Sequence, residues 1–134
     1  MESIRAFKDE GDALLAAGST SKAIEAYSKG LELAESIGQT ASTTSSDLVK
    51  LAEELYCARG EAHLLGGDYN AALADGEAAT ALCPKSYTGS FLSGRACMGL
   101  HMYHEARDHL LDAAGHCTDR VEKRKILRVS EEAG

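Results

Sequence analysis

Tryptophan is absent from this chain, proline occurs once and phenylalanine only twice. With one proline, almost nothing breaks a helix by removing a backbone donor. The Val/Ile-rich runs of an all-β or doubly wound fold are missing as well. The longest apolar run, Ala13-Leu14-Leu15-Ala16-Ala17, is far too short to span a bilayer. Cations are in deficit: 14 Lys and Arg stand against 21 Asp and Glu, a net charge of -7 with a pI near 5.2. That balance excludes nucleic acid and anionic membranes as principal partners, because both demand a basic footprint. The opening Met1-Glu2-Ser3-Ile4-Arg5 lacks the basic-then-apolar layout of a secretory signal. The four cysteines, Cys57, Cys83, Cys97 and Cys117, form no Cys-x-x-Cys pair. Reduced, mostly buried thiols in a cytoplasmic protein are therefore expected.

Reacting centres are missing too. The sequence has no glycine-rich phosphate loop, no Gly-x-Ser-x-Gly and no His-Glu-x-x-His. Adjacent carboxylates such as Glu53 with Glu54 and Glu131 with Glu132 read as solvated helix faces. His101, His104, His109 and His116, with Cys97 and Cys117, gather zinc-type ligands in a short stretch. Their spacing does not put them on one face: His104 and His109 are five residues apart, about 140° around a helix. No metal, no cofactor and no enzymatic activity are expected.

What is present is one domain's worth of helix formers. Of the 134 residues, 44% are hydrophobic and 26% charged, which are globular proportions. The segment Gly60-Glu61-Ala62-His63 with Gly67-Asp68-Tyr69-Asn70-Ala71-Ala72-Leu73 superimposes on Gly94-Arg95-Ala96-Cys97 with His101-Met102-Tyr103-His104-Glu105-Ala106-Arg107. The offset is 34 residues, as from Gly60 to Gly94, Tyr69 to Tyr103 and Ala72 to Ala106. An earlier copy runs Phe7, Gly11, Leu14, Gly18, Ala23, Ile24, Tyr27, offset by 49, so 15 residues are inserted after it. Each copy reads as two helices, with small residues where they must approach closely. The spacing predicts helices at about 2–17, 20–36, 47–66, 69–82, 86–100, 103–116 and 119–131. Gly38 to Ser46 reads as a loop, with Asp47 capping a long third helix, and most of the insertion falls in this loop and that helix's extra N-terminal turns. Pro84 sits where it can open the fifth helix. The basic, amphipathic segment from Thr118 to Val129 reads as an end cap with Val121, Ile126 and Val129 inward. A basic binding or dimerising helix is the sharper reading of it.

This pattern resembles the tetratricopeptide repeat (TPR), a 34-residue helix-turn-helix unit. The resemblance covers residues 4–120, with repeats at about 4–37, 53–86 and 87–120 and an insertion at 38–52. It implies an all-α, right-handed solenoid of three helix pairs with a capping helix, one domain over 1–134. It also implies a concave groove lined by the first helix of each pair. The stripe facing that groove is Arg5, Lys8, Asp12 and Leu15 in the first copy. In the second it is Glu54, Cys57, Ala58, Glu61 and Leu64, and in the third Thr88, Phe91, Leu92, Arg95 and Met98.

Family members with three repeats and a cap include co-chaperones that grip the acidic C-terminal tail of a heat-shock chaperone through a carboxylate clamp. The clamp's first Lys and Asn fall on Lys8 and Asp12, its next Asn on Ala58, and its last Lys and Arg on Thr88 and Leu92. Only Lys8 keeps the family's residue. Losing one partner of a buried charged contact costs about 2–5 kcal/mol, so tail binding is disfavoured. The expectation is a noncatalytic adaptor, monomeric rather than dimeric, holding a peptide or helical segment of another protein in the groove. Apolar groove residues would anchor it and charges would set register. A co-chaperone module and a self-associating scaffold are the alternatives, and the alanine-rich outer face of the second helices is a further docking candidate.

Overall fold

A computed structural model describes residues 2–40 and 46–133 of the chain. Seven helices follow in order: α1 (Glu2–Ala16), α2 (Thr20–Thr40), α3 (Ser46–Leu65), α4 (Tyr69–Leu82), α5 (Tyr87–Gly99), α6 (Tyr103–His116) and α7 (Arg120–Ala133). There is no strand among the described residues. Each helix packs on the next; in addition α1 touches α3, and α3 touches α5. The even helices make no comparable contact with one another among the described residues. The stack is therefore a solenoid that curves with α1, α3 and α5 on its inner side.

The first helix of each copy ends in the same way. The N–H groups of Ser19, Asp68 and Met102 donate to the carbonyls of Leu14, His63 and Cys97. Those of Gly18, Gly67 and His101 donate to Leu15, Leu64 and Met98. This double closure needs one residue in the left-handed conformation, and it falls on Gly18 (φ 86°), Gly67 (φ 81°) and His101 (φ 63°). The third copy thus holds a histidine where the others hold glycine.

The insertion is mostly helix rather than loop. α2 has 21 residues where α4 and α6 have 14. α3 has 20 where α1 has 15 and α5 has 13. The loop predicted from residue 38 is corrected accordingly: α2 continues to Thr40, and residues 41–45 lie outside the described ones. Asp47 lies in the first turn of α3 rather than capping it. Pro84 stays in the α4–α5 turn, and Ser86 is the N-cap of α5.

Among the described residues two apolar cores form, one around Ile4, Tyr27 and Leu55, the other around Leu110, Cys117 and Ile126. α7 closes the second core with Ile126 and Val129. Val121, expected inward, is 63% exposed, because the helix turns only the Ile126 side of its surface toward the core.

Between the cores the chain packs through missing side chains. Gly11, Gly60 and Gly94 share one repeat position. A Cβ at Gly11 would meet the Tyr27 ring at 2.5 Å, and one at Gly94 would meet Leu110 Cγ at 2.7 Å. Tyr27 and Leu110 share a position in the second helix of their copies, and the second copy has Gly76 there. Gly76 offers no side chain to cover Gly60, so Leu92 of α5 does, with Asp75 Cβ of α4 beside it. At Gly76 itself the helices meet backbone to backbone: a Cβ would lie 2.9 Å from Ser93 N and 3.0 Å from the Gly89 carbonyl.

Two outcomes follow for stability. Gly76→Ala would gain about 1 kcal/mol of helix propensity in a free helix. Here it should lose about 2 kcal/mol through overpacking, read as a lower urea midpoint with unchanged slope. His101→Gly should gain about 1 kcal/mol by relieving the left-handed residue, read as a higher Tm.

Candidate functional site

The inner face is built from one stripe each of α1, α3 and α5. Arg5 and Asp12 are exposed on α1, with Lys8 and Leu15 half-buried. Glu54 is exposed on α3, and Cys57, Ala58, Glu61 and Leu64 are half-buried. Thr88, Phe91, Arg95 and Met98 are half-buried on α5. Leu92 is a correction: it is 2% exposed, because it fills the space over Gly60 that Gly76 leaves empty.

The repeat period sets the lateral contacts of this face. Residues 34 apart occupy equivalent places on neighbouring first helices, so Glu61 and Arg95 stand side by side. Arg95 Nη1 donates to Glu61 Oε1, and its guanidinium sits 5.5 Å from the centre of the Phe91 ring. On α1, Lys8 Nζ donates to Asp12 Oδ2 at 3.1 Å. Asp12 is also held from behind, since the buried Tyr27 hydroxyl donates to its Oδ1. Burial, and then the bond to Asp12 and its charge, keep that phenol protonated well above the ordinary range. Two of the three cations predicted for this face are therefore already neutralised by acids of the same face.

Glu53 corrects the reading of Glu53 and Glu54 as a solvated pair. Its side is turned inward, with Glu53 only 7% exposed. Its Oε1 accepts from Thr88 Oγ1, from Ser86 Oγ at 3.3 Å and from Cys57 Sγ at 3.7 Å. The signal for this was available: Ser86 and Thr88 stand 33 and 35 residues after Glu53, one repeat away. A buried carboxylate requires such donors. Burial, with the nearby Glu53 charge, pushes the Cys57 thiol up to about 12.

Behind this face, Arg59 ties three helices together. Its Nε and Nη2 donate to Asp75 of α4 at 2.9 and 2.6 Å, and its Nη1 donates to Ser28 of α2 at 3.2 Å. The histidines make local contacts instead of converging. His104 lies 3.8 Å from Asp108 and His116 lies 3.6 Å from Asp112. His101 Nδ1 lies 2.6 Å from the Tyr103 hydroxyl. The four thiols are unbonded to one another. No described helix is long and apolar enough to cross a membrane.

The sequence matches no family model and no curated protein. The fold does have counterparts among solved structures. The first TPR of Spaghetti (RPAP3) bound to the HSP90 peptide SRMEEVD aligns over 98% of this chain and 93% of that one, at TM-score 0.77 and 20% identity. The Sgt2 TPR domain from Aspergillus fumigatus aligns over 98% and 79%, at TM-score 0.77 and 20% identity. The Arabidopsis OM64 TPR domain aligns over 98% and 96%, at TM-score 0.74 and 19% identity. The chain has the fold of a TPR domain, an all-helical solenoid of helix pairs.

Cys57 should hold about a thousandfold less thiolate at pH 8 than an ordinary cysteine. Its alkylation in the native chain, read by peptide mass mapping, should be at least about a hundredfold slower than in urea. The rate should keep climbing with pH above 9, where an ordinary thiol levels off.

Proposed function

We propose that the chain is a noncatalytic interaction module, working in the cytoplasm, whose concave face holds a peptide or helical segment of another protein. The observation that carries this reading is the composition of the inner face. Leu15, Leu64, Phe91 and Met98 offer half-exposed apolar surface. The charges among them are paired in place, Lys8 with Asp12 and Arg95 with Glu61. Apolar anchors supply affinity, and fixed polar groups set register. The peptide-bound TPR domain of the same fold supports a role in protein recognition.

The same face argues against an acidic chaperone tail as the ligand. The acids Asp12 and Glu61 already occupy Lys8 and Arg95. Glu53 lies directly behind Thr88 and Glu54 is exposed beside it. A tail carboxylate arriving there would meet like charge, with Ala58 and the buried Leu92 unable to donate.

Two titrations test this. A labelled peptide ending Glu-Glu-Val-Asp should show no saturable anisotropy change up to about 1 mM, whereas binding near 10 μM would make the chain a co-chaperone module. Peptides selected on the chain from a random display library should be rich in aliphatic and aromatic anchors. Phe91→Ala and Arg95→Glu should each weaken them at least about tenfold, near 1.4 kcal/mol, while Arg107→Ala on α6 should not. A selection that yields no binders, or binders indifferent to Phe91 and Arg95, would overturn the groove reading.

A further inference from the structure

The lengthened α2 and α3 build a second surface, on the side away from the concave face. Over the N-terminal half of α3, between the C-terminal halves of α2 and α4, runs an apolar trench of about 540 Å³. Leu31 and Ala34 form one wall, Ala78 and Ala81 the other, and Val49 and Tyr56 the floor. Among the described residues, the only charged one lining it is Glu35. Glu32 stands exposed one turn before Glu35 on α2, and Lys22, Glu25 and Lys29 are exposed farther back along that helix. Neither Glu35 nor Glu32 is ion-paired among the described residues. An apolar floor with an unneutralised acidic rim selects a basic amphipathic helix.

The chain carries such a helix at its opposite end. α7 exposes Val121 (63%) and Leu127 (37%), with Arg124 between them at helical spacing. Arg120, Lys123 and Arg128 are exposed nearby and, like Arg124, are not ion-paired among the described residues. α7 packs on α6, whereas the trench belongs to α2, α3 and α4, so the two surfaces of one molecule do not meet. A symmetric dimer joining trench to trench would set Glu32 and Glu35 of both copies against each other, and like charges oppose that.

We propose that the trench receives α7 of a second copy of the chain, so that copies associate head to tail. Such a contact is heterologous, and it propagates rather than closing at two. It is small beside a standard interface, so monomer prevails in dilute solution and assembly appears on concentration.

Sedimentation equilibrium of the full chain tests this. The weight-average mass should at least double between about 10 μM and about 1 mM. It should fall back when salt is raised from about 0.05 to about 0.5 M, as the charges are screened. Ala81→Arg blocks the trench with a cation, and Leu127→Glu spoils α7. Both sites are exposed, and circular dichroism checks that each variant keeps its helices. Each variant alone should stay monomeric. Their equimolar mixture should form a dimer and stop there, since one intact trench meets one intact α7. A wild-type chain that stays monomeric to about 1 mM, association that survives either substitution, or a mixture that stays monomeric would overturn the proposal. None of these outcomes bears on the concave face.

Discussion

The arrangement beyond α3 depends on a side chain that is not there. The first and third copies each lay a large residue of their second helix, Tyr27 or Leu110, over the glycine of their first. The second copy has Gly76 at that place. Its absence lets α4 and α5 meet through backbone, with Gly89 and Thr80 so close that an added Cβ would lie 2.8 Å from Thr80 N. The void over Gly60 must still be filled, because an apolar cavity forfeits the contacts of its lining. Leu92 fills it and leaves the inner face. A packing event in the core thus decides that Phe91 and Arg95, and not Leu92, stay accessible on the inner face. The close approach also traps the Ser93 hydroxyl without a hydrogen bond, a penalty accepted for the geometry.

Charge is used in two different ways. Half-buried Arg59 and buried Asp75, 4% exposed, are joined by two parallel N–H···O bonds. A planar fork matched to a carboxylate repays much of its desolvation only in such geometry. Removing Arg59 would strand the buried Asp75 carboxylate at a cost of about 3–5 kcal/mol. Asp75 itself holds the guanidinium charged, against the effect of burial. Lys8–Asp12 and Arg95–Glu61 are half-exposed, and pairs of that kind contribute little stability. Their importance is the potential they present. Cations that an acidic ligand would need are already satisfied before it arrives.

Most of the fold was legible because the repeat fixes small residues at a constant offset, and small residues mark where helices cross. Helix starts and ends emerge within a residue or two, except where the insertion interferes. There, Gly38 to Thr40 looked like loop by composition, yet α2 runs on through them. Val121 fell on the wrong side because spacing alone does not say how far a capping helix rolls. Leu92 was illegible for a deeper reason. Its burial is dictated by residue 76, on a different helix and at a different repeat position, and periodicity carries no such information. Glu53 could have been found. Counting one repeat forward from Glu53 leads to Tyr87, flanked by Ser86 and Thr88, and from Glu61 it leads to Arg95.

α3 belongs to both surfaces. Val49 and Tyr56 floor the outer trench, while Glu54, Cys57, Glu61 and Leu64 line the inner face. Tyr56 and Ala58 are 200° apart around the helix, so a ligand on one surface does not touch a ligand on the other. The helix is nevertheless pinned between them. Arg59 joins it to α2 and α4, and Glu53 joins it to the start of α5. Polar ties of fixed geometry resist sliding more than apolar contacts do, because a displaced bond leaves a buried donor or acceptor unmet. The 15-residue insertion then adds surface without loosening the groove. It lengthens α2 and α3, which the Arg59–Ser28 bond already ties together, and so extends the solenoid outward while the inner face keeps its register.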